Sequence, residues 1–379
     1  MKTVHICYLC SEYPPAPHGG IGGFTQTLGR AVAARGHRVS VIGMYPDAYA
    51  GVAKDHGVDV VRLSRRGLPI IRLAANRRKF ARALRSLHDA HPIDIVEGGE
   101  MEFWILTPSL PGKKLLRMHG GPTFFDTGIR IQAWKERWAF HVAEHLCAVS
   151  HCVAEETRRL LNLGDRHIEV IPNPIDTEVF VPSPSGTLEE DGLILFAGTV
   201  AERKGIRQLI QAMPRILAAV PHARLEVYGG EVIDPAPPKP LTAGLVRSMP
   251  PEVAARVEWK GRVDRGTLAH AIRRASICVY PSHMEAMPIA WLEGMATGKA
   301  LVVSKTGPGP EVVDDGVTGL LCDPRDPDSI AEQIIRLLND APLRCRLGSA
   351  ARQAAVQRYS LDKIVEQNLA YYRSLADVS

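Results

Sequence analysis

Short apolar runs rich in β-branched residues alternate along the chain with longer stretches in which apolar residues recur at helical spacing. This alternation is the mark of a doubly wound α/β protein, and near-continuous apolar runs belong to parallel strands covered on both faces. In the first half the runs predict strands at Val4–Cys10, Val39–Gly43, Val58–Leu63, Ile93–Glu97, Leu115–Met118, His145–Val149 and Ile168–Ile171. The segment "IPNPIDTEVFVPSPSGTLEEDG" loses all periodicity and reads as a linker. A second series follows at Leu193–Ala197, Arg224–Tyr228, Val257–Lys260, Ile277–Tyr280, Ala300–Val303 and Gly319–Cys322, interrupted by the Pro-rich excursion "EVIDPAPPKP". Two Rossmann-like domains result, residues 1–178 and 179–359. A last helix, about Leu361 to Leu375 within 360–379, has no strand after it and is free to cross back onto the first domain.

Length and composition agree with that reading. A chain of 379 residues suits two cores rather than one. With 45% hydrophobic and 23% charged residues it is ordinary globular protein, without the ~18–20 uninterrupted apolar residues of a membrane span. The opening "MKTVHICYLCSEYPPAP" lacks a small-residue cleavage site and reads as a strand, so a cytoplasmic location is the expectation. Seven scattered cysteines do not make a disulfide framework, and the lone CxxC of Cys7 and Cys10 has no second pair to complete a zinc site. The formal charge is +5, and the basic residues crowd into 62–88, where Arg62, Arg65, Arg66, Arg72, Arg77, Arg78, Lys79, Arg82 and Arg85 meet no acid. Leu73, Phe80, Leu84 and Leu87 lend this stretch a helical apolar stripe. It is either a solvated outer face or a basic amphipathic helix that touches an anionic membrane or acceptor.

Candidate chemistry gathers at strand ends. After the strand "ICVYP", the stretch "SHMEAMPIAWLEGMATGKALVVS" keeps Glu285 and Glu293 inside an apolar run. Pro288 fits the first position of a helix running to about Thr297, and Met287 before it has no side-chain oxygen with which to cap the helix. An uncapped helix start at the carboxyl end of a parallel strand suits an anion such as phosphate. Two carboxylates there would repel a phosphate, so they are expected to accept hydroxyl hydrogens on either side of it. A sugar joined through phosphates to a ribose has that layout, whereas an amphipathic helix with one exposed glutamate is the plainer alternative.

In "LFAGTVAERKGIRQLIQAMP", Arg203 and Lys204 stand where a helix begins and can neutralise a diphosphate. The loop "PPAPHGGIGGFTQTLGRAVAARGH" places Gly19, Gly20, Ile21, Gly22 and Gly23 between the first strand and first helix, out of register with a dinucleotide fingerprint. His119 follows a strand in "LLRMHGGPTFF", and Glu97, Glu100 and Glu102 follow another in "IVEGGEMEFW". These glutamates would hold a hydroxyl-rich or cationic acceptor, or be merely solvated. Asp326 and Asp328 formally spell DxD but sit where a helix-start signal is expected.

These residues together resemble glycosyltransferase family 4, retaining enzymes of the GT-B architecture. Its spaced glutamate pair and glycine tail match "EAMPIAWLEGMATG", and "PHGGIGG", "RMHGG", "VIPNPIDTEVF", "GTVAERKG" and "GPGPEVVDDGVTGLLCDPRDPDSIAEQI" follow in family order. The resemblance implies that Glu285 contacts the donor sugar and Glu293 the ribose. It also implies that amides around Ala286, Met287 and Ile289 hold sugar and phosphates, that Arg203 and Lys204 hold the diphosphate, and that His119 lies near the donor sugar. By the same resemblance Gly20 and Ile21 belong to the donor loop, and Gly229, Gly230, Arg262 and Val263 lie near the base. Two departures stand out: Gly198-Thr199 replaces a common Gly-Arg, and "AMP" replaces a glycine-aromatic-glycine. The implied activity is transfer of a hexose from a nucleoside diphosphate sugar, UDP-sugar favoured, to an acceptor hydroxyl across the interdomain cleft, without a cofactor or metal. A nucleotide-sugar epimerase, a non-catalytic sugar-nucleotide binding protein and a Rossmann oxidoreductase are the alternatives.

Overall fold

The computed structural model describes residues 3–65, 69–183, 189–231 and 241–377, the side chains of 69–73 apart. Arg66 and residues 232–240 of the Pro-rich excursion lie outside the described residues. The chain divides into two compact units, Met1–Pro174 with Leu361–Ser379, and Ile175–Ser360.

The first unit is built on β1 (His5–Leu9), β2 (Arg38–Tyr45), β3 (Gly51–Asp55), β4 (Val58–Ser64), β5 (Ile95–Gly98), β6 (Lys113–Met118), β7 (His145–Ala148) and β8 (Ile168–Val170). Their order is β3-β4-β2-β1-β5-β6-β7-β8, parallel except for the antiparallel pair β3 and β4. Helices α1 (Gly20–Ala34), α2 (Pro69–Ala90), α3 (Glu100–Phe103), α4 (Arg130–Val142) and α5 (His151–Leu161) connect them. Strand order reverses beside β1, which pairs with β2 on one side and β5 on the other. A doubly wound sheet opens its crevice at such a point, at the carboxyl ends of the strands.

The second unit carries β9 (Leu193–Ala197), β10 (Arg224–Tyr228), β11 (Val257–Gly261), β12 (Ile277–Tyr280), β13 (Ala300–Ser304) and β14 (Leu320–Cys322) in the all-parallel order β11-β10-β9-β12-β13-β14. Its helices are α6 (Ile206–Ala219), α7 (Leu241–Ser248), α8 (Pro251–Ala254), α9 (Arg265–Arg274), α10 (Ile289–Ala296), α11 (Gly309–Val312), α12 (Pro327–Asn339) and α13 (Ala341–Ala354). Every residue of β9, β12 and β13 is buried, as strands covered on both faces require. The reversal here falls beside β9, between β10 and β12.

The final helix α14 (Leu361–Asp377) buries Ile364, Val365, Leu369 and Tyr372 against Val4, Ile6 and Tyr8 of the first unit. It is also fastened by polar bonds. Arg117 on β6, wholly buried, donates to Glu97 at 2.6 Å and to Asn368 at 2.5 Å, and the Tyr372 hydroxyl donates to Glu97 at 2.6 Å. A buried carboxylate survives in a protein interior only with such partners.

In α2 the apolar stripe turns inward: Phe80 and Leu84 are core residues, while Arg78, Lys79, Arg82 and Arg85 are exposed. Phe80 and Leu84 therefore pack this part of the 62–88 stretch on its own sheet. Several of its cations have internal duties. Arg62 donates to the Pro14 carbonyl at 2.7 Å, Lys79 to the Ser64 carbonyl at 3.1 Å, and Arg77 to the Trp104 carbonyl at 2.6 Å. Among the described residues no helix is long and apolar enough to cross a membrane. Cys7 and Cys10 are buried free thiols, both pushed up to about 12 by burial.

Candidate active site

Three strand ends of the second unit are stitched into one platform. After β9 the chain makes a short 3-10 turn over Glu202–Lys204 and leaves it through Gly205, at φ 70°. A Cβ on Gly205 would overlap the carbonyl oxygen of Pro281 at the end of β12, so only glycine permits this approach. The His283 amide then donates to the Arg203 carbonyl at 2.8 Å, and the Thr306 hydroxyl, beyond β13, donates to the His283 carbonyl at 3.1 Å.

That stitching brings opposite charges together. The Lys204 ammonium donates to one oxygen of the Glu285 carboxylate, and Arg203 Nη1 lies 3.6 Å from the other. The Glu285 side chain is only 7% exposed and Lys204 16%, whereas Arg203 is 45% exposed. Burial pulls the Lys204 ammonium below its ordinary value, and Glu285 opposes the shift. Just beyond, α10 begins at Ile289 with Pro288 as its N-cap, and no side chain caps the helix. The sequence reading placed Pro288 one position further in, as the first helical residue. Its ψ of 119° puts it outside the helix, and Pro288 as N-cap offers the first-turn amides of α10 no side-chain oxygen.

Glu293, in the second turn of α10, is 8% exposed, and burial pushes its carboxyl up to about 7, a rise that Arg265 moderates. Each of the two glutamates keeps under a tenth of its surface, so the plainer alternative of an amphipathic helix with one exposed glutamate does not describe them. Glu285 tolerates this through its cations, and Glu293 through a raised proton affinity. On the other side of β9, Gly198 donates to the Tyr228 carbonyl and Gly229 to the Gly261 carbonyl, each at 2.8 Å. A Cβ on Gly229 would overlap the Gly198 carbonyl, so the tips of β9 and β10 close together only because side chains are absent. Gly230, Arg262 and Val263 continue this edge, with Arg262 Nε 3.7 Å from where a Gly230 Cβ would be.

In the first unit, α1 starts at Gly20 behind Gly19, and the Gly22 amide donates to Glu12 at 2.6 Å. Glu12 was not singled out from sequence, because nothing in "SEYPPAP" links it to a loop ten residues on. His119 packs edge-on against Phe24 of α1, ring centres 4.9 Å apart. Burial, with Arg117 adding to it, holds its imidazole down to about 3, so the ring is neutral at any ordinary pH.

The glutamates expected near an acceptor part company. Glu97 points into the interior and is consumed by Arg117 and Tyr372, which corrects its placement at an acceptor-facing edge. Glu100 is buried, and its carboxyl is pushed up to about 7. It accepts from the His119 amide at 3.2 Å. Glu136 of α4, unnoticed in the sequence, accepts from the Thr123 amide at 2.9 Å. Gly121 lies between them, where a Cβ would overlap Glu136 Oε1. Two buried carboxyls thus pin both ends of the His119–Thr123 loop, and the buried Oε1 of each has no hydrogen-bond partner among the described residues. Glu102 turns the other way and accepts from the Ser11 amide at 3.3 Å and the Ser11 hydroxyl at 3.2 Å.

Residues 18–179 match Glycosyltransferase Family 4, and residues 181–354 match Glycosyl transferases group 1. The alpha-maltose-1-phosphate synthase of Mycolicibacterium smegmatis is 31% identical over 270 residues, 66% of this chain and 68% of that protein. An uncharacterized glycosyltransferase of Methanocaldococcus jannaschii is 26% identical over 97% of each chain. Among solved structures, sucrose-phosphate synthase from Thermosynechococcus elongatus matches with a TM-score of 0.85 at 23% identity, covering 99% of this chain and 100% of that one. Anabaena HepE in complex with UDP and glucose matches with a TM-score of 0.76 at 16% identity, over 98% and 100% of the two chains. The chain belongs to glycosyltransferase family 4 and is a glycosyltransferase of the GT-B fold.

Proposed function

We propose that the protein transfers a hexose from a nucleoside diphosphate sugar, UDP-sugar favoured, to a hydroxyl of a glycan, lipid-linked or small-molecule acceptor, with retention at the anomeric carbon. The observation that carries this reading is the convergence of Arg203 and Lys204 on Glu285 beside the uncapped start of α10. A donor diphosphate fits this platform by charge. Its oxygens would take the two cations and the amides around Ala286, Met287 and Ile289, and the sugar hydroxyls would take the Glu285 oxygens that the cations release. Glu293 is assigned to the ribose, and Gly229, Gly230, Arg262 and Val263 to the base. The UDP and glucose complex of HepE, whose fold this chain shares, supports the same class of donor.

In this mechanism the bond from the anomeric carbon to the diphosphate breaks, and the acceptor oxygen bonds to that carbon on the same face. The acceptor proton passes to the departing phosphate oxygen. Arg203, Lys204 and the α10 amides stabilise the charge that grows on the leaving group, and removing one such preorganised donor typically costs about 3–4 kcal/mol. Neutral His119, with Gly20 and Ile21, is assigned to the sugar end of the donor. The test is a donor and acceptor screen read by mass spectrometry, with the anomeric configuration of the product read by NMR. A product of inverted configuration refutes the mechanism. Donor consumed without any acceptor and converted to an isomer makes the protein an epimerase.

A further inference from the structure

A cavity of about 510 Å³ opens in the first unit at the carboxyl ends of β1 and β2, beside the reversal of strand order. Its polar lining comes from Ser11, Arg65, Asn76, Glu102 and Lys135, and Trp104 is among its apolar walls. Two cations therefore face one carboxylate, and that carboxylate is already committed to the Ser11 amide and hydroxyl. The Lys135 ammonium is held 4.4 Å from the centre of the Trp104 ring. Arg65 and Lys135 belong to different elements, the end of β4 and the middle of α4, and the fold alone brings them to one opening. The volume falls in the range of small-molecule sites, about 300–1,000 Å³, and suits one sugar ring with a charged substituent.

We infer that this cavity binds a small acceptor bearing an anionic group, a phosphate ester or a carboxylate on a polyol, with the anion between Arg65 and Lys135 and a hydroxyl on Glu102. The inference rests on the glycosyl-transfer reading, and it adds that the acceptor is charged and small rather than a neutral glycan chain. Charge-assisted bonds to a guanidinium and an ammonium discriminate strongly against the neutral analogue, which leaves the cations without a counter-charge.

The test titrates the full chain with glucose 1-phosphate, glucuronate and methyl α-glucoside, each with and without saturating UDP, by calorimetry and tryptophan fluorescence. The charged probes are expected to bind, the phosphate ester or the carboxylate emerging as the tighter, and methyl α-glucoside to bind about tenfold more weakly or less. Arg65→Gln and Lys135→Gln should each weaken the charged probes by about tenfold and leave UDP binding unchanged, and Trp104→Phe should remove the fluorescence response. Equal binding of charged and neutral probes, failure of every charged probe to bind, or charged binding that survives both substitutions overturns the inference. Failure of UDP to bind speaks against the donor reading instead, and the titrations without UDP still decide what the cavity holds.

Discussion

The Lys204 ammonium donates to Glu285, 81 residues further along the chain, and the pair is shielded from solvent on the platform where a donor diphosphate would lie. Removing Glu285 leaves the shielded Lys204 without its counter-charge, and removing Lys204 leaves Glu285 with Arg203 alone, at 3.6 Å. Lys204→Ala should lower stability by about 1–3 kcal/mol, and adding Glu285→Gln to it should restore part of that loss. Turnover should behave otherwise. Each single variant should lose at least ~100-fold in kcat, and the double variant should recover none of it. Thermal unfolding and donor turnover, measured on the same three variants, separate the two effects. Restored turnover in the double variant would make the pair purely structural.

Gly205 holds the Arg203–Lys204 turn against Pro281. Gly205→Ala adds a Cβ both to a left-handed backbone position and into the Pro281 carbonyl. A non-glycine residue at such a backbone angle costs about 1–2 kcal/mol before the overlap is counted. The variant should unfold earlier, and its UDP affinity should fall by about tenfold or more as the turn moves away from Glu285. Calorimetric titration of UDP at a temperature where the variant remains folded checks this.

Glu293 supplies a pH dependence. Its carboxyl titrates at about 7 in the folded protein against an ordinary 4.5. Below the unfolded value both states hold the proton and the group contributes nothing. As pH rises past it the unfolded chain releases the proton first, so stability is lost progressively until the folded group ionises near pH 7, and the loss is constant above that. Glu293→Gln removes the titration. Its unfolding midpoint should match the parent near pH 4.5 and exceed it at pH 8 by an amount worth a few kcal/mol, at about 1.4 kcal/mol per pKa unit. Chemical denaturation at the two pH values checks the sign. A variant that gains stability at pH 8 and also loses UDP affinity would mark Glu293 as a residue kept for its ligand.

Arg117 is a separate case, a structural cation deep in the first unit. Arg117→Met leaves Glu97 buried with the Tyr372 hydroxyl but without its counter-charge, and breaking such a pair costs about 3–5 kcal/mol. The unfolding midpoint should drop sharply. UDP binding by the second unit should persist wherever the variant is folded, which titration at low temperature can show.

Strand positions were legible in the sequence because strands buried on both faces are nearly uninterrupted apolar runs: β9, β10 and β12 follow their apolar segments residue for residue. The antiparallel strand Gly51–Asp55 was not, since it lies at the sheet edge with its first four residues exposed, and no alternation betrays it. Glu285, Arg203 and Lys204 could be placed at strand ends from pattern alone. That they pair with one another depends on Gly205 meeting Pro281, a contact across the sheet that local spacing does not encode. The direction of Glu97 was unreadable for a similar reason. A strand residue near its carboxyl end can face the crevice or the interior, and the choice was made by Arg117 and by α14, which arrives from the other end of the chain. Glu136 escaped notice because α4 reads as an ordinary amphipathic helix until Gly121 is seen against it.

The central claim is that Arg203 and Lys204 act on the diphosphate of a sugar nucleotide. Nucleoside diphosphate release should be measured from UDP-glucose and UDP-N-acetylglucosamine, with an acceptor found by the screen, for the parent and for the Arg203→Ala, Lys204→Ala double variant. The parent should show steady acceptor-dependent release and the double variant none above background, with the variant still folded. Release at the parent's rate by the folded double variant would contradict that claim.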